Sequence, residues 1–173
     1  MSGGRLVNTS QLRLAAAAST SETSGQTGRS TVSSLAAIRS ELGAQQTARG
    51  TVVALPGDVL FDFDKDEIRP SARPTLAKLA QLIEAEAPPS IAVEGHSDGK
   101  GDDAYNDRLS TARAQAVRDF LKDVHQVPGD RMEVRGLGEN RPLAPNANED
   151  GSDNEEGRQR NRRVEVILLD ADG

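Results

Sequence analysis

Apolar residues along the chain fall into runs of alternating and of helical spacing, divided by turn residues, and these runs predict the fold. Thr51-Val52-Val53-Ala54-Leu55 reads as a strand that breaks at Pro56-Gly57. Val59 to Asp64 reads as a second extended run, with Leu60 and Asp62 on one face and Val59, Phe61 and Phe63 on the other. A helix is predicted from a Ser71 cap through Pro74, with Leu76, Leu79, Ala80 and Ile83 on its buried face and Pro88-Pro89 as its stop. Ser90 to Gly95 alternates as a half-buried strand. After a small polar turn, Asp102 or Asp103 can cap a long helix whose stripe is Tyr105, Leu109, Ala112, Ala116, Phe120 and Val124. Met132-Glu133-Val134 and Arg163 to Leu168 are the last two strands, separated by a polar stretch from Asn140 to Gln159. The order β-α-β-α-β-β implies an α/β (α+β) sandwich, a mixed sheet with helices on one face.

Residues Met1 to about Arg29 are rich in Ser, Thr, Gly and Ala and read as a disordered tail. From Ser30 to Gln46 a weak amphipathic pattern stops at Gly43, and a solvated linker is preferred there over a partner-docking helix. The expected division is residues 1–49 as a flexible tail or linker and residues 50–173 as one folded domain. With 2% aromatic residues and no Trp, the core must be built from Leu, Val, Ile and Ala. A net charge of −6 argues against nucleic acid, where affinity comes from Lys and Arg on phosphates. The absence of Cys removes disulfides, thiolate metal sites and a Cys nucleophile. No membrane-spanning run or complete secretory signal is read, so the chain is expected to be cytosolic or a mature fragment freed of its signal.

The stretch that promises chemistry is Gly95-His96-Ser97-Asp98 and the helix after it. Asp98 stands where a strand ends, and Arg113 lies beside the helix's apolar stripe, from which it can turn back toward that end. A guanidinium takes a carboxylate through two parallel hydrogen bonds and an Asp takes an ammonium, so the pair suits a zwitterion of the amino-acid kind. The competing reading is that Asp98 and Arg113 pair with each other or cap backbone groups. Gly95 to Gly101 fails the spacing of a phosphate loop, and His96 with Asp98 lacks further metal ligands. His96, Asp98 and Ser97 are too close in sequence to face one another as a catalytic triad. Asp62 to Glu67 has Glu67 and Arg73 where a calcium loop needs Gly and Glu. The acidic run Glu149 to Glu156 is read as a solvated loop neutralised by Arg158, Arg160, Arg162 and Arg163 rather than as a loose calcium site.

Several motifs in order resemble the OmpA C-terminal-like family, which includes the peptidoglycan-associated lipoprotein and flagellar stator B domains. They are Phe61-Asp62-Phe63-Asp64, Glu94 to Asp98, Tyr105-Asn106 with Leu109-Ser110 and Arg113-Ala114, Gly136 to Glu139 with Pro142, and Gly157-Arg158 with Asn161 to Val164. The resemblance covers about Val59 to Leu169 and implies non-catalytic binding of peptidoglycan in the Gram-negative periplasm, near the outer membrane, with no cofactor and no metal. It implies that Asp98 and Arg113 hold the amine and carboxylate of stem-peptide diaminopimelate. It also implies that Asp64, Asn106, Leu109, Asn161 and Arg162 line the pocket. The chain departs from the family by Ser97 in place of Thr and by a longer acidic loop. The alternative is a structural part of an envelope machine, of stator or secretion type, that meets an envelope protein through its tail. A hydrolase using Asp64, His96 and Asp98 is the less favoured third reading.

Overall fold

The computed structural model describes residues 34–171, so the tail read at Met1 to Arg29 lies outside the described residues. Two compact units divide the chain, Met1–Ala37 and Ile38–Gly173. Of the first, residues 34–37 are described and are helical. The second opens with the helical residues 38–41 (α1), which end as read from sequence at Gly43, in the left-handed region at φ 61°. Leu42 is nevertheless part of the hydrophobic core, and β1 (Gln45–Thr47) pairs antiparallel with β2 (Gly50–Pro56). Residues 38–49 are thus built into the sheet unit, earlier than the sequence division places its start.

Further elements are α2 (Gly57–Leu60), α3 (Arg73–Glu86), β3 (Ser90–His96), α4 (Asp103–His125), β4 (Met132–Gly136), α5 (Glu155–Asn161) and β5 (Arg163–Leu169). The mixed five-stranded sheet runs β1-β2-β5-β3-β4, antiparallel throughout except for β3 and β4. A parallel pair needs a crossover, and α4 supplies it. The register aligns Val53, Val166, Val93 and Val134 across four strands, on the face that joins the core with Leu76, Leu79, Val117 and Leu121. Each of the fully buried Leu76, Leu79 and Leu82 contributes ~1.5–3 kcal/mol by leaving water. Among the described residues no helix is long and apolar enough to cross a membrane.

Five local expectations need correction. Val59 to Asp64 is not a strand: after Pro56 the chain turns through α2, and Phe61 makes only an isolated bridge to Ile68. Leu60 and Phe61 are both buried while Val59 and Phe63 are exposed, a pattern of a turn entering the core rather than of alternation. Ser71 does not cap α3, because it lies in a 3₁₀ turn (Pro70–Ala72) that leads into the helix at Ala72. β3 is buried on both faces, Ser90 apart: Ile91 and Val93 join the core with Val117 and Leu121 of α4, and on the second face Ala92, Glu94 and His96 are buried, with Arg49 and Arg141 against Glu94. The buried face of α4 consists of Asn106, Ser110, Arg113, Ala114, Val117 and Leu121, whereas Tyr105 and Val124 are exposed. Helix α5 occupies the end of the stretch read as a polar loop.

Candidate ligand-binding site

Two glycines let α4 lie against the ends of β3 and β4. A Cβ on Gly95 would stand 1.9 Å from the Ser110 carbonyl oxygen, and one on Gly136 would stand 1.8 Å from Thr111 Oγ1. At this approach only small groups fit between helix and sheet, which is why Ser110 and Asn106 are buried there. Ser110 Oγ accepts from Gly138 N–H at 3.1 Å, and Ser97 N–H donates to Gly138 O at 2.8 Å, tying the two strand ends together. The α4 N-terminus is fixed by Asp102, whose carboxylate accepts from Tyr105 N–H at 3.2 Å, as expected of a cap. Asn106 reaches back across the loop and donates to the carbonyls of Asp98 (3.3 Å) and Lys100 (3.2 Å).

Asp98 is thereby held in a buried position with both oxygens used. Oδ1 accepts from Lys100 N–H at 3.1 Å, and Oδ2 accepts from Arg162 at 2.7 Å and Arg158 at 3.3 Å. Among the described residues, no ion pair or hydrogen bond joins Asp98 to Arg113. Arg113 donates through Nε to the Lys65 carbonyl at 2.9 Å and lies over the Phe61 ring, 5.1 Å from its centroid. Three arginines are buried among the described residues: Arg158, Arg163 and Arg113. The first two meet carboxylates, at Asp153 and Glu165, whereas Arg113 has no carboxylate within 4.0 Å. Burial lowers its pKa from the ordinary guanidinium value, against the more distant pull of Asp58 and Asp64. A buried cation without a counter-charge is costly, and an anionic group would relieve it.

The remaining predicted residues divide. Arg162 touches Asp98 directly; burial disfavours its charge, but its bonds to Asp98 and Glu155 outweigh this and raise its pKa. Asp64, exposed and at φ 60°, accepts a hydrogen bond from the Tyr105 hydroxyl and so links the loop after α2 to the start of α4. Leu109 is half-buried. Asn161 does not offer its side chain to a ligand, because it is 0% exposed and spends its amide on Leu143, Ala144 and Asn146. Arg158, read in sequence as part of a basic cluster and of a family motif but not as a pocket residue, proves to be a partner of Asp98; its spacing of four from Arg162 on one helix face was the available signal. A groove of about 540 Å³ lies between α3 and the end of α4, lined by Ala80, Ile83, Pro88 and Val127, and none of the predicted site residues borders it.

The model of the OmpA family matches residues 60–158, a span that contains the Asp98 loop and all of α4. The chain belongs to the OmpA family. The OmpA-type relatives include outer membrane porin F of Pseudomonas aeruginosa, 44% identical over 66% of this chain and 31% of the porin. They also include the outer-membrane lipoprotein YfiB of the same organism, 34% identical over 76% of this chain and 74% of the lipoprotein. Among solved structures, the cell wall anchor of the T6SS from Pseudomonas aeruginosa superposes with a TM-score of 0.67 at 30% identity, covering 79% of this chain and 96% of that one. The chain spans only 31% of porin F, and 15% of another relative that is 40% identical over the matched part, Photosystem I P700 chlorophyll a apoprotein A2 of Gloeobacter violaceus.

This OmpA-family domain also carries a polar cluster on the second face of the sheet. Ligand atoms of Glu94, His96 and Glu165 lie within 4.8 Å of one another, a spacing that could hold a metal. The surrounding charge argues otherwise: Glu94 is bound through both oxygens by Arg49, at 2.7 and 3.2 Å, with Arg141 at 3.9 Å, and Glu165 is held by Arg163 at 2.7 Å. Two carboxylates facing three guanidinium groups leave no negative charge for a divalent cation. His96 sits between them with both ring nitrogens unbonded, and burial, aided by Arg163, pushes its pKa down to about 4. The unfolded chain therefore takes up this proton first as pH falls from 6.5. Stability is expected to decline between about pH 6.5 and pH 4 by up to about 3 kcal/mol from this residue. Denaturant titrations of wild type and His96→Gln across that window should differ in slope, and parallel curves would contradict the assignment.

Proposed function

We propose that the domain binds peptidoglycan without catalysis, through the carboxylate and amine of stem-peptide diaminopimelate, and so tethers the cell envelope to the wall. The observation that carries this reading is Arg113, a buried guanidinium that lacks a carboxylate partner and lies within electrostatic reach of Arg162, which bonds Asp98. Arg113 would take the ligand carboxylate through its free amino groups, and Asp98, with Arg162 beside it, would take the ammonium. Membership of the OmpA family and likeness to a cell wall anchor support it. On this reading the domain works in the periplasm, at the outer membrane or wall of a Gram-negative bacterium.

Charge-assisted hydrogen bonds contribute ~1.5–3 kcal/mol each, and ordering costs offset much of that. Single-site binding is expected at about −4 to −8 kcal/mol, millimolar to micromolar, with many stem peptides supplying avidity. The test is cosedimentation with insoluble sacculi, comparing wild type with Asp98→Ala and Arg113→Ala after circular dichroism shows all three folded. Binding by wild type and about a tenfold or greater loss in each variant is expected. Wild-type protein that stays in the supernatant, or variants that sediment equally well, would overturn the pocket. Release of soluble fragments from the sacculi, abolished by Asp98→Asn, would instead make it an enzyme.

The likeness to a secretion-system anchor favours one second reading, in which the domain is a scaffold part of an envelope machine and wall binding serves to hold it. Recovery of a stable envelope protein with Asp98→Ala as efficiently as with wild type would support that role.

A further inference from the structure

We infer that Asp153 and Glu155 are positioning residues that keep Arg158 and Arg162 from closing over Asp98, and that they thereby set how readily the pocket accepts an ammonium. The inference rests on the binding reading above. In the free protein Asp98 Oδ2 is shared by two guanidinium groups, so an incoming ammonium competes with both. Each guanidinium, however, has other carboxylates to hold. Arg158 bonds Asp153 at 2.7 Å through Nε and 2.6 Å through a terminal nitrogen, and it also bonds Glu155, whereas its link to Asp98 is long at 3.3 Å. The Asp153 bond raises the Arg158 pKa and lowers that of Asp153, so the fork stays charged at both ends. Arg162 shares its two terminal nitrogens between Asp98 (2.7 Å) and Glu155 (2.9 Å), with Asp58 3.7 Å from Nε.

Four carboxylates, Asp58, Asp98, Asp153 and Glu155, therefore surround two guanidinium groups, and the cluster carries a formal charge of −2. An ammonium arriving at Asp98 moves that charge toward zero, and both arginines keep a carboxylate when Asp98 is taken. Glu155, at the start of α5, is central because it is the one carboxylate of the cluster besides Asp98 that is bonded to both arginines. Without its charge, Arg162 is left with Asp98 and the more distant Asp58, so it binds Asp98 more tightly and the ammonium has to break that bond. The carboxylate half of the pocket, at Arg113, has no hydrogen bond to this cluster and feels it through the charges of Asp58 and Arg162, which substitutions at Asp153 and Glu155 leave in place.

Calorimetric titration of folded wild type, Glu155→Gln and Asp153→Asn with meso-diaminopimelate and with pimelate, the same dicarboxylate without amines, separates the two halves. Glu156→Gln is the control, since it removes the same charge from the neighbouring exposed position. Glu155→Gln is expected to weaken diaminopimelate by about fivefold, with Asp153→Asn in the same direction, while pimelate affinity and the Glu156→Gln protein stay at wild-type values. Equal weakening by Glu155→Gln and Glu156→Gln would mean a general field effect, and equal weakening for both ligands would mean distortion of the whole pocket; either result refutes the positioning role. If wild type binds neither compound, the binding reading fails and takes this inference with it. If wild type binds and Glu155→Gln binds as well, only the inference falls.

Discussion

Gly95→Ala should lower stability by about 4 kcal/mol and the melting temperature by about 10 °C, the cost of forcing a helix off a sheet. The added methyl would meet the Ser110 carbonyl oxygen at 1.9 Å, its carbon at 2.7 Å and its Cα at 3.2 Å, all backbone atoms of α4 that no rotamer change can move. Relief requires α4 to shift as a body. Because Asn106 and Arg113 ride on the same helix, the shift would also pull apart the support of Asp98 and the Lys65 contact. Gly129→Ala is the matched control: its Cβ would meet only the ends of the Lys122 and Arg118 side chains, at 3.1 and 3.2 Å, which can swing away. Thermal melts of the two variants should therefore differ widely. A Gly95→Ala protein that melts with wild type would show that the helix does not sit as described.

Asn161→Ala is expected to cost about 4 kcal/mol, for a different reason. The side chain accepts from Leu143 N–H (2.7 Å) and Ala144 N–H (3.0 Å) and donates to Ala144 O (2.8 Å) and Asn146 Oδ1 (2.9 Å). Truncation removes four hydrogen bonds at once and leaves polar groups of Ala144, itself buried, without water or partner. Asn146 would lose its orientation too, and with it the bond its Oδ1 accepts from Gly99 N–H at 3.1 Å beside Asp98. Denaturant unfolding should report the loss, and hydrogen exchange at Leu143 and Ala144 should localise it. Unchanged protection at both amides would rule out the clamp.

Where the sequence was legible, one physical signal dominated the local structure. Leu76, Leu79, Ala80 and Ile83 are buried on α3 as their spacing predicts, because that helix packs through large apolar groups alone. On α4 the same logic chose the wrong stripe. Apolar periodicity cannot register that Gly95 and Gly136 on other strands open a close approach, which buries Ser110 and Asn106 in preference to Tyr105. Likewise Leu60 and Phe61 are neighbours that both enter the core, which no alternating pattern expresses. The pairing of residues 45–47 with β2 was hidden because Gln45, Gln46 and Thr47 are polar and exposed, and only their backbones join the sheet.

For the candidate site, motif resemblance placed Asp98, Arg113, Asn106 and Arg162 in one region; in the structure Asn106 and Arg162 meet Asp98 at the β3 end, while Arg113 lies against Lys65 and Phe61. Their partners were not legible. That Asp98 meets Arg158 and Arg162 rather than Arg113 depends on bringing α5, some 60 residues later, against the loop after β3. Asn161 lies in the same motif as Arg162 yet faces inward, since adjacent residues at a helix end point in different directions.

The placement of β5 has a consequence for how the chain reaches this structure. The last strand in sequence lies at the centre of the sheet, with β1 and β2 on one side and β3 and β4 on the other. Until residues 163–169 arrive, the sheet exists only as two separate pairs, each with an unpaired edge and an apolar face. Collapse of the core must wait for the closing of loops that span most of the domain, a route of high contact order and slow folding. A chain emerging from its N-terminus onward therefore stays open, and exposed to edge-to-edge pairing with its neighbours, until nearly all of it is present.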